Sequence, residues 1–268
     1  MYLKGAFGPF FFGEVRFDMA SVDMALFLSF ALVAEVLGTV AGFGSSVLFV
    51  PLALMFFDFH SVLGITAVFH VASNLSKIYY FRQGLDRQLA LAMGMPAVLF
   101  VILGGYMSRY FEGFALDIAL AVFLIVLSLI FLLFRQLILR ASNVNMALAG
   151  ASSGFFAGLL GTGGALRGAA LSAFNIQKDA FVATSAVIDF GVDFSRMVVY
   201  AANGYIQVAH LPLVPFLVGV SVVGTYAGKR ILAHISQESF RIIVLSLILA
   251  VGGLTLLRAL GVIDITLG

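Results

Sequence analysis

Ala41-Gly42-Phe43-Gly44-Ser45-Ser46-Val47-Leu48-Phe49-Val50-Pro51-Leu52 lies inside an apolar run, 24 to 57, that is too long for one ordinary membrane crossing. Glycines cut that run at Gly42-Phe43-Gly44-Ser45-Ser46. A second long run, 146 to 174, is cut in the same way at Gly161-Thr162-Gly163-Gly164. Six further apolar segments, 62 to 81, 88 to 107, 116 to 134, 181 to 201, 209 to 227 and 240 to 258, have the length of single spans. Over the 268 residues, 62% are apolar and 10% charged, with a mean hydropathy of +1.12, which excludes a water-soluble globule and predicts an all-α integral membrane protein.

Charge and cysteine content narrow the function classes. Fifteen Lys and Arg against thirteen Asp and Glu leave a net charge of +2, too balanced for a nucleic-acid partner. With no cysteine, disulfides, thiolate metal sites and cysteine nucleophiles are excluded. Residues 1–23, with Lys4, Pro9, Glu14, Arg16 and Asp18 around Phe10 to Phe12, lack the uninterrupted apolar region of a signal peptide and read as an interfacial or poorly ordered lead-in. Residues 263–268 form a short tail.

A shift of 119 residues lays the second half on the first. Gly42 falls on Gly161, Gly44 on Gly163, Ala67 on Ala186, Val68 on Val187, Ser76 on Ser195, Pro96 on Pro215 and Gly105 on Gly224. The identities include both glycine breaks and a proline, so the chain reads as two membrane repeats, 24–140 and 141–262, of about four helical segments each. Charge then sets their orientation. If each broken segment crosses once, the loop cations divide five to five. If each folds back as a hairpin, Arg82, Arg87, Arg135, Arg140, Lys178, Lys229, Arg230 and Arg241 gather on one side against Arg109 and Arg258. The positive-inside bias favours the hairpins, which makes the repeats inverted and puts both termini on the non-cytoplasmic side of a cell (inner) membrane.

The candidate site follows from what the bilayer does not tolerate. Broken backbone at membrane depth must be buried in protein or line a wet cavity, because each unpaired amide costs several kcal/mol. A short helix restarts after each break, near Ser46 and Ala165, and presents free N–H groups with the positive end of its macrodipole. The substrate-binding candidates are therefore Gly42, Gly44, Ser45, Ser46, Gly161, Thr162, Gly163 and Gly164, joined by Asn74 and by Arg167 just after the second break. The alternative use of these glycines is close helix packing, and the alternative use of Arg167 is an ion pair with Glu35 or Asp189.

Two segments carry ionisable groups at depth. His70, Asn74 and Lys77 share one helix face at i, i+4 and i+7, and Asp189, Asp193 and Arg196 repeat that spacing on the matching positions. Such groups mark pathways or relays, so His70, Lys77, Asp189, Asp193 and Arg196 are candidates for coupling or gating. Lys77 snorkelling to the helix end, and Arg196 pairing with Asp193, are the bland alternatives. No metalloprotease or nucleophile-elbow motif is present, and neither a catalytic site, a resident metal nor a cofactor is expected.

The glycine stretch from Ala41 to Leu52, followed by Gly154-Phe155-Phe156-Ala157-Gly158-Leu159-Leu160-Gly161-Thr162-Gly163-Gly164, resembles the sulfite exporter TauE/SafE family of membrane permeases across residues 24 to 260. That family usually has a third glycine where this chain has Ser45, and is less reliably polar at His70 and Lys77. The resemblance implies movement of sulfur-containing anions such as sulfite, sulfoacetate and other organosulfonates. The expected partners are a small anion, the lipid bilayer and a coupling proton or sodium, and a homo-oligomer is compatible with all of this. Two other readings stand beside it: a transporter whose cargo is a proton, sodium or divalent cation held by Asp189, Asp193, Asn74 and His70, and a membrane-embedded enzyme or assembly factor.

Overall fold

The computed structural model describes residues 21–41, 44–81, 84–133, 142–172, 178–234 and 237–263. Gly42, the loop cations Arg82, Arg135 and Arg140, and the expected lead-in and tail apart from residues 21–23 and 263 lie outside the described residues. All regular structure among the described residues is helical: α1 Ser21–Ala41, α2 Ser46–Ala53, α3 Phe59–Tyr80, α4 Arg87–Ser108, α5 Gly113–Leu133, α6 Asn143–Leu160, α7 Gly164–Ser172, α8 Lys178–Ala202, a 3-10 turn Val208–Leu213, α9 Val214–Leu232 and α10 Gln237–Ala259. Helices are the natural outcome, since a spanning segment has no water to satisfy its backbone and must do so internally.

Among the described residues, four stretches are long and apolar enough to cross a membrane: Asp23–Ala41, Arg87–Ser108, Gly113–Ile130 and Val208–Leu232. The 22 residues of α3 and 25 of α8 are long enough to span, but the charges they carry lower their hydropathy. The segments after the two breaks are different. With 8 and 9 residues, α2 and α7 reach only about 12–14 Å, well short of the ~30 Å hydrocarbon layer. The broken segments are therefore one long arm and one half-length arm. In the first, Phe56 and Phe57 return to pack edge-on against Phe27 near the start of α1.

Helix directions can be read from contacts. In α6, Gly150, Gly154 and Gly158 lie against Met93, Ala97 and Val101 of α4, so these helices run parallel, in backbone contact that small residues allow. Gly224 and Gly228 of α9 meet Glu35 and Thr39 of α1, again in parallel. By contrast α3 and α8 are antiparallel, with His70 beside Arg196 and Asn74 beside Asp193. Gly252 of α10 lies on Leu124 of α5 while Arg258 faces Asp117, so that pair is antiparallel too. One end of the bundle holds residues 84–87, the start of α8 and Lys229, which donates to the Tyr80 carbonyl. The other holds Tyr205, Ser108 and Gly113 beside Phe59.

Candidate functional site

The half-helices α2 and α7 meet where their starts come together, with the Ser46 hydroxyl 3.3 Å from that of Thr162. Positive φ values at Gly44 (84°) and Gly161 (75°) make the two reversals, a backbone state that side chains rarely adopt. Ser45 occupies the position preceding α2 but makes no side-chain cap. Its hydroxyl turns instead to Glu35 and His70, leaving the first-turn N–H groups of α2 free of a side-chain acceptor. A cavity sits between the two starts, lined by Gly44 and Ser46 from one break and Gly163 and Gly164 from the other. The polar part of the remaining wall comes from His70, Asn74 and Lys77 of α3, Asp189, Asp193 and Arg196 of α8, and Arg167 of α7, and Ala157 and Val192 complete it. Its open volume, ≈ 10 Å³, has room for about one water.

All the sequence-predicted site residues among the described ones converge here. Ser45, Gly161 and Thr162 stand immediately behind the wall, and Gly42 lies outside the described residues. Gly163 also lies against α6: a Cβ there would strike the Ser153 carbonyl, so packing alone requires a glycine at this position.

The charged groups are buried and paired. Arg167, 2% exposed, forms an ion pair with Asp189 through Nη2. Its Nε and Nη1 are buried without a hydrogen-bond partner. Arg196 meets Asp193 at 2.8 Å, donates to the Gly161 carbonyl at 2.6 Å and so ties α8 to the second break, where Tyr200 also donates to the Gly158 carbonyl. Asp193 in turn accepts from Asn74 at 2.6 Å. Lys77 does not snorkel. It is 5% exposed, with Nζ 3.0 Å from Glu35 and 2.7 Å from the Ser73 hydroxyl.

Glu35 is the residue that sequence reasoning underused. It stands well inside the predominantly apolar helix α1, fully buried, and pairs with Lys77, not Arg167. Its carboxylate also accepts from Thr39, Ser45, Ser73 and Thr225. A carboxylate well inside a spanning segment was itself the available signal. The partner set could not be foreseen, because Thr225 is 190 residues away in the chain.

Among the described residues no group of three or more His, Cys, Asp or Glu is arranged to hold a metal ion. No match was found among curated proteins or solved structures. The family model for sulfite exporter TauE/SafE matches residues 26–255, which takes in both breaks, all ten helices except their outermost ends, and every residue of the buried charged cluster. This chain is an integral membrane transporter belonging to the sulfite exporter TauE/SafE family.

Proposed function

We propose that the chain is a secondary transporter for a small sulfur-containing anion, sulfite or an organosulfonate, which binds between the starts of α2 and α7. The observation that carries this reading is Arg167. Buried donors without acceptors are costly, roughly 1–3 kcal/mol each and more for charged groups, so two on one guanidinium at a cavity wall call for an acceptor that arrives from outside. Two half-helix starts facing the same space add positive potential for an anion.

The cavity is too small for such an anion as it stands, and Asp189 already holds Nη2 of Arg167. In this reading Asp189 acts as the gate: its carboxylate occupies the guanidinium in the closed site and gives way to the substrate. Alternating access between inverted halves, 24–140 and 141–262, is supported by the helix directions. A two-fold axis in the membrane plane reverses direction, so repeat mates that touch must be antiparallel, as α3 with α8 and α5 with α10 are. The same axis exchanges the α1–α9 pair with the α6–α4 pair, and both are parallel. Asn74 and Asp193, 119 residues apart, touch each other as residues near such an axis would.

A cation as cargo is the weaker reading, because Glu35, Asp189 and Asp193 each already face a Lys or Arg. The deciding experiment is flux of sulfite, thiosulfate, a sulfonate, a carboxylate, sodium and a divalent metal into proteoliposomes, paired with ligand stabilisation in detergent. Uptake and stabilisation by a sulfur oxyanion or sulfonate support the proposal. Stabilisation by a metal or sodium alone overturns it.

A further inference from the structure

Three contacts around one imidazole outnumber the hydrogens available to make them. His70 Nδ1 lies 2.9 Å from the Thr66 backbone oxygen, Nε2 lies 2.8 Å from Ser45 Oγ, and that Oγ lies 2.6 Å from Glu35 Oε2. Each is a hydrogen-bond distance and each needs its own hydrogen. A neutral imidazole supplies one and the serine hydroxyl a second, while a carbonyl and a carboxylate supply none. Moving the imidazole hydrogen to Nε2 would satisfy the serine side and let Nδ1 accept from Arg196 at 3.3 Å, but it would leave the Thr66 contact with two acceptors and no hydrogen. One further proton satisfies all three.

We infer that Glu35, Ser45 and His70 form a binding site for one proton, shared between imidazole and carboxylate through the serine hydroxyl, and that this is the coupling proton of the transporter. The coupling half of this statement rests on the anion reading above; the proton site does not. The balance is simple. With the proton on His70, Nε2–H donates to Ser45 and Ser45 donates to an ionised Glu35. When Nε2 passes its proton to Ser45 Oγ, the serine passes its own to Oε2, giving a neutral imidazole and a neutral carboxylic acid. His70 is on the cavity wall and Glu35 is behind it, so the relay leads from the cavity to the α1–α9 interface.

Charged and polar groups surround both ends of the relay. On α3, Lys77 faces Glu35 at 3.0 Å, and on α8, Arg196 faces His70, with Asp193 behind it. The hydroxyls of Thr39 on α1, Ser73 on α3 and Thr225 on α9 donate to Glu35, and α2 presents the Phe49 ring to His70. Polar or charged partners therefore face both ends of the relay, Lys77 and three hydroxyls at the carboxylate and Arg196 at the imidazole. Charge balance links it to cargo. Three carboxylates, Glu35, Asp189 and Asp193, face three cations, Lys77, Arg167 and Arg196, so the cluster is neutral without the extra proton and carries one positive charge with it. A singly charged anion restores neutrality, and a neutral core is the one that moves through hydrocarbon at least cost.

The test titrates the whole chain, labelled with 15N-histidine, in detergent without any anion. His70 is assigned by its loss in His70→Gln, and infrared difference spectra follow carboxyl protonation over the same pH range. In the natural chain His70 and a carboxyl should change together. Ser45→Ala should split them into two independent titrations, and Glu35→Gln should remove the carboxyl change and move the His70 midpoint. A His70 midpoint unmoved in both variants overturns the site; Ser45→Ala alone decides it where Glu35→Gln does not fold. In proteoliposomes, sulfite accumulation driven by an imposed pH gradient should be lost in Glu35→Gln. Accumulation still driven by the gradient in that variant overturns the coupling role. A natural chain that shows the shared titration but moves no anion keeps the proton site and discards the anion reading.

Discussion

In the proposed transporter, Asp189 and the arriving anion compete for the Arg167 guanidinium. Asp189 takes one nitrogen and leaves two unpaired, so removing either partner has opposite consequences for ligand and for fold. Arg167→Leu should weaken anion binding by about 1–3 kcal/mol, the scale of a lost charge-assisted hydrogen bond. Asp189→Asn should instead leave a buried cation unbalanced, which costs about 3–5 kcal/mol of stability. An anion at the guanidinium would restore most of that loss. Thermal unfolding in detergent should then show a larger rise with sulfite for Asp189→Asn than for the natural chain, and none for Arg167→Leu. Equal rises in all three proteins would place the anion elsewhere. The composition of this cluster was legible in the sequence, since ionisable residues at spanning depth are rare enough to be noticed one by one. Two of the pairs, Arg196 with Asp193 one turn away and Arg167 with Asp189, were among the readings the sequence offered; the convergence of His70, Arg196 and Gly161 was not, because helix crossings that no spacing within one helix encodes bring them together from three segments.

The two breaks look equivalent in sequence, and as elements they are built differently. Gly44 has a φ of 84° with nothing near a Cβ, whereas Gly163 is pressed against the Ser153 carbonyl. Gly44→Ala should therefore cost about 1–2 kcal/mol of backbone strain. Gly163→Ala must push α7 off α6 and should cost more, read as a lower midpoint in denaturant. A reversed order would mean that the second break has room to yield. The hairpin itself was legible from segment length and the charge split, but its half-length arm was not, because the apolar run continues past Ala53 to Phe57 and hides where α2 stops. At the α3 start, Asp58 caps the helix through the Ser61 N–H at 3.0 Å. Burial pushes its carboxyl up, yet hydrogen bonds from Ser61 and the nearby His60 outweigh this and hold it below its ordinary 3.8. A depressed value stabilises the fold above 3.8 and loses that contribution as pH falls through the lower folded value. Asp58→Ala should cost about 1 kcal/mol at neutral pH, and the difference from the natural chain should shrink only below that point. A gap that stays constant in acid would assign the loss to packing.

For the molecule as a whole, the ends of the bundle carry the orientation argument. Arg87, Lys229 and Arg230 share the end where α3 finishes and α4 begins, and Arg109 and Arg258 share the other. α1 runs parallel to α9 and α10 antiparallel to α5, so the first residues of α1 and the last of α10 both fall at the Arg109 end. If the cation-rich end is cytoplasmic, the start of α1 and the end of α10 face outward, and every described loop has an assigned side. The natural chain has no cysteine, so single cysteines report without background. Gly84 is a poor place for one, since its φ is 89° and a Cβ would press on Ala180; the exposed Leu85 next to it is better. Leu85→Cys and His234→Cys should react only with reagents that reach the cytoplasm, while Glu112→Cys and Leu260→Cys should react in intact cells with impermeant ones. Labelling of residues 85 and 112 from one side would break the inverted scheme altogether. All four reacting from the sides opposite to those expected would keep the architecture and reverse its orientation, which would turn the end of α2, where Arg258 donates to the Leu54 carbonyl, toward the cytoplasm.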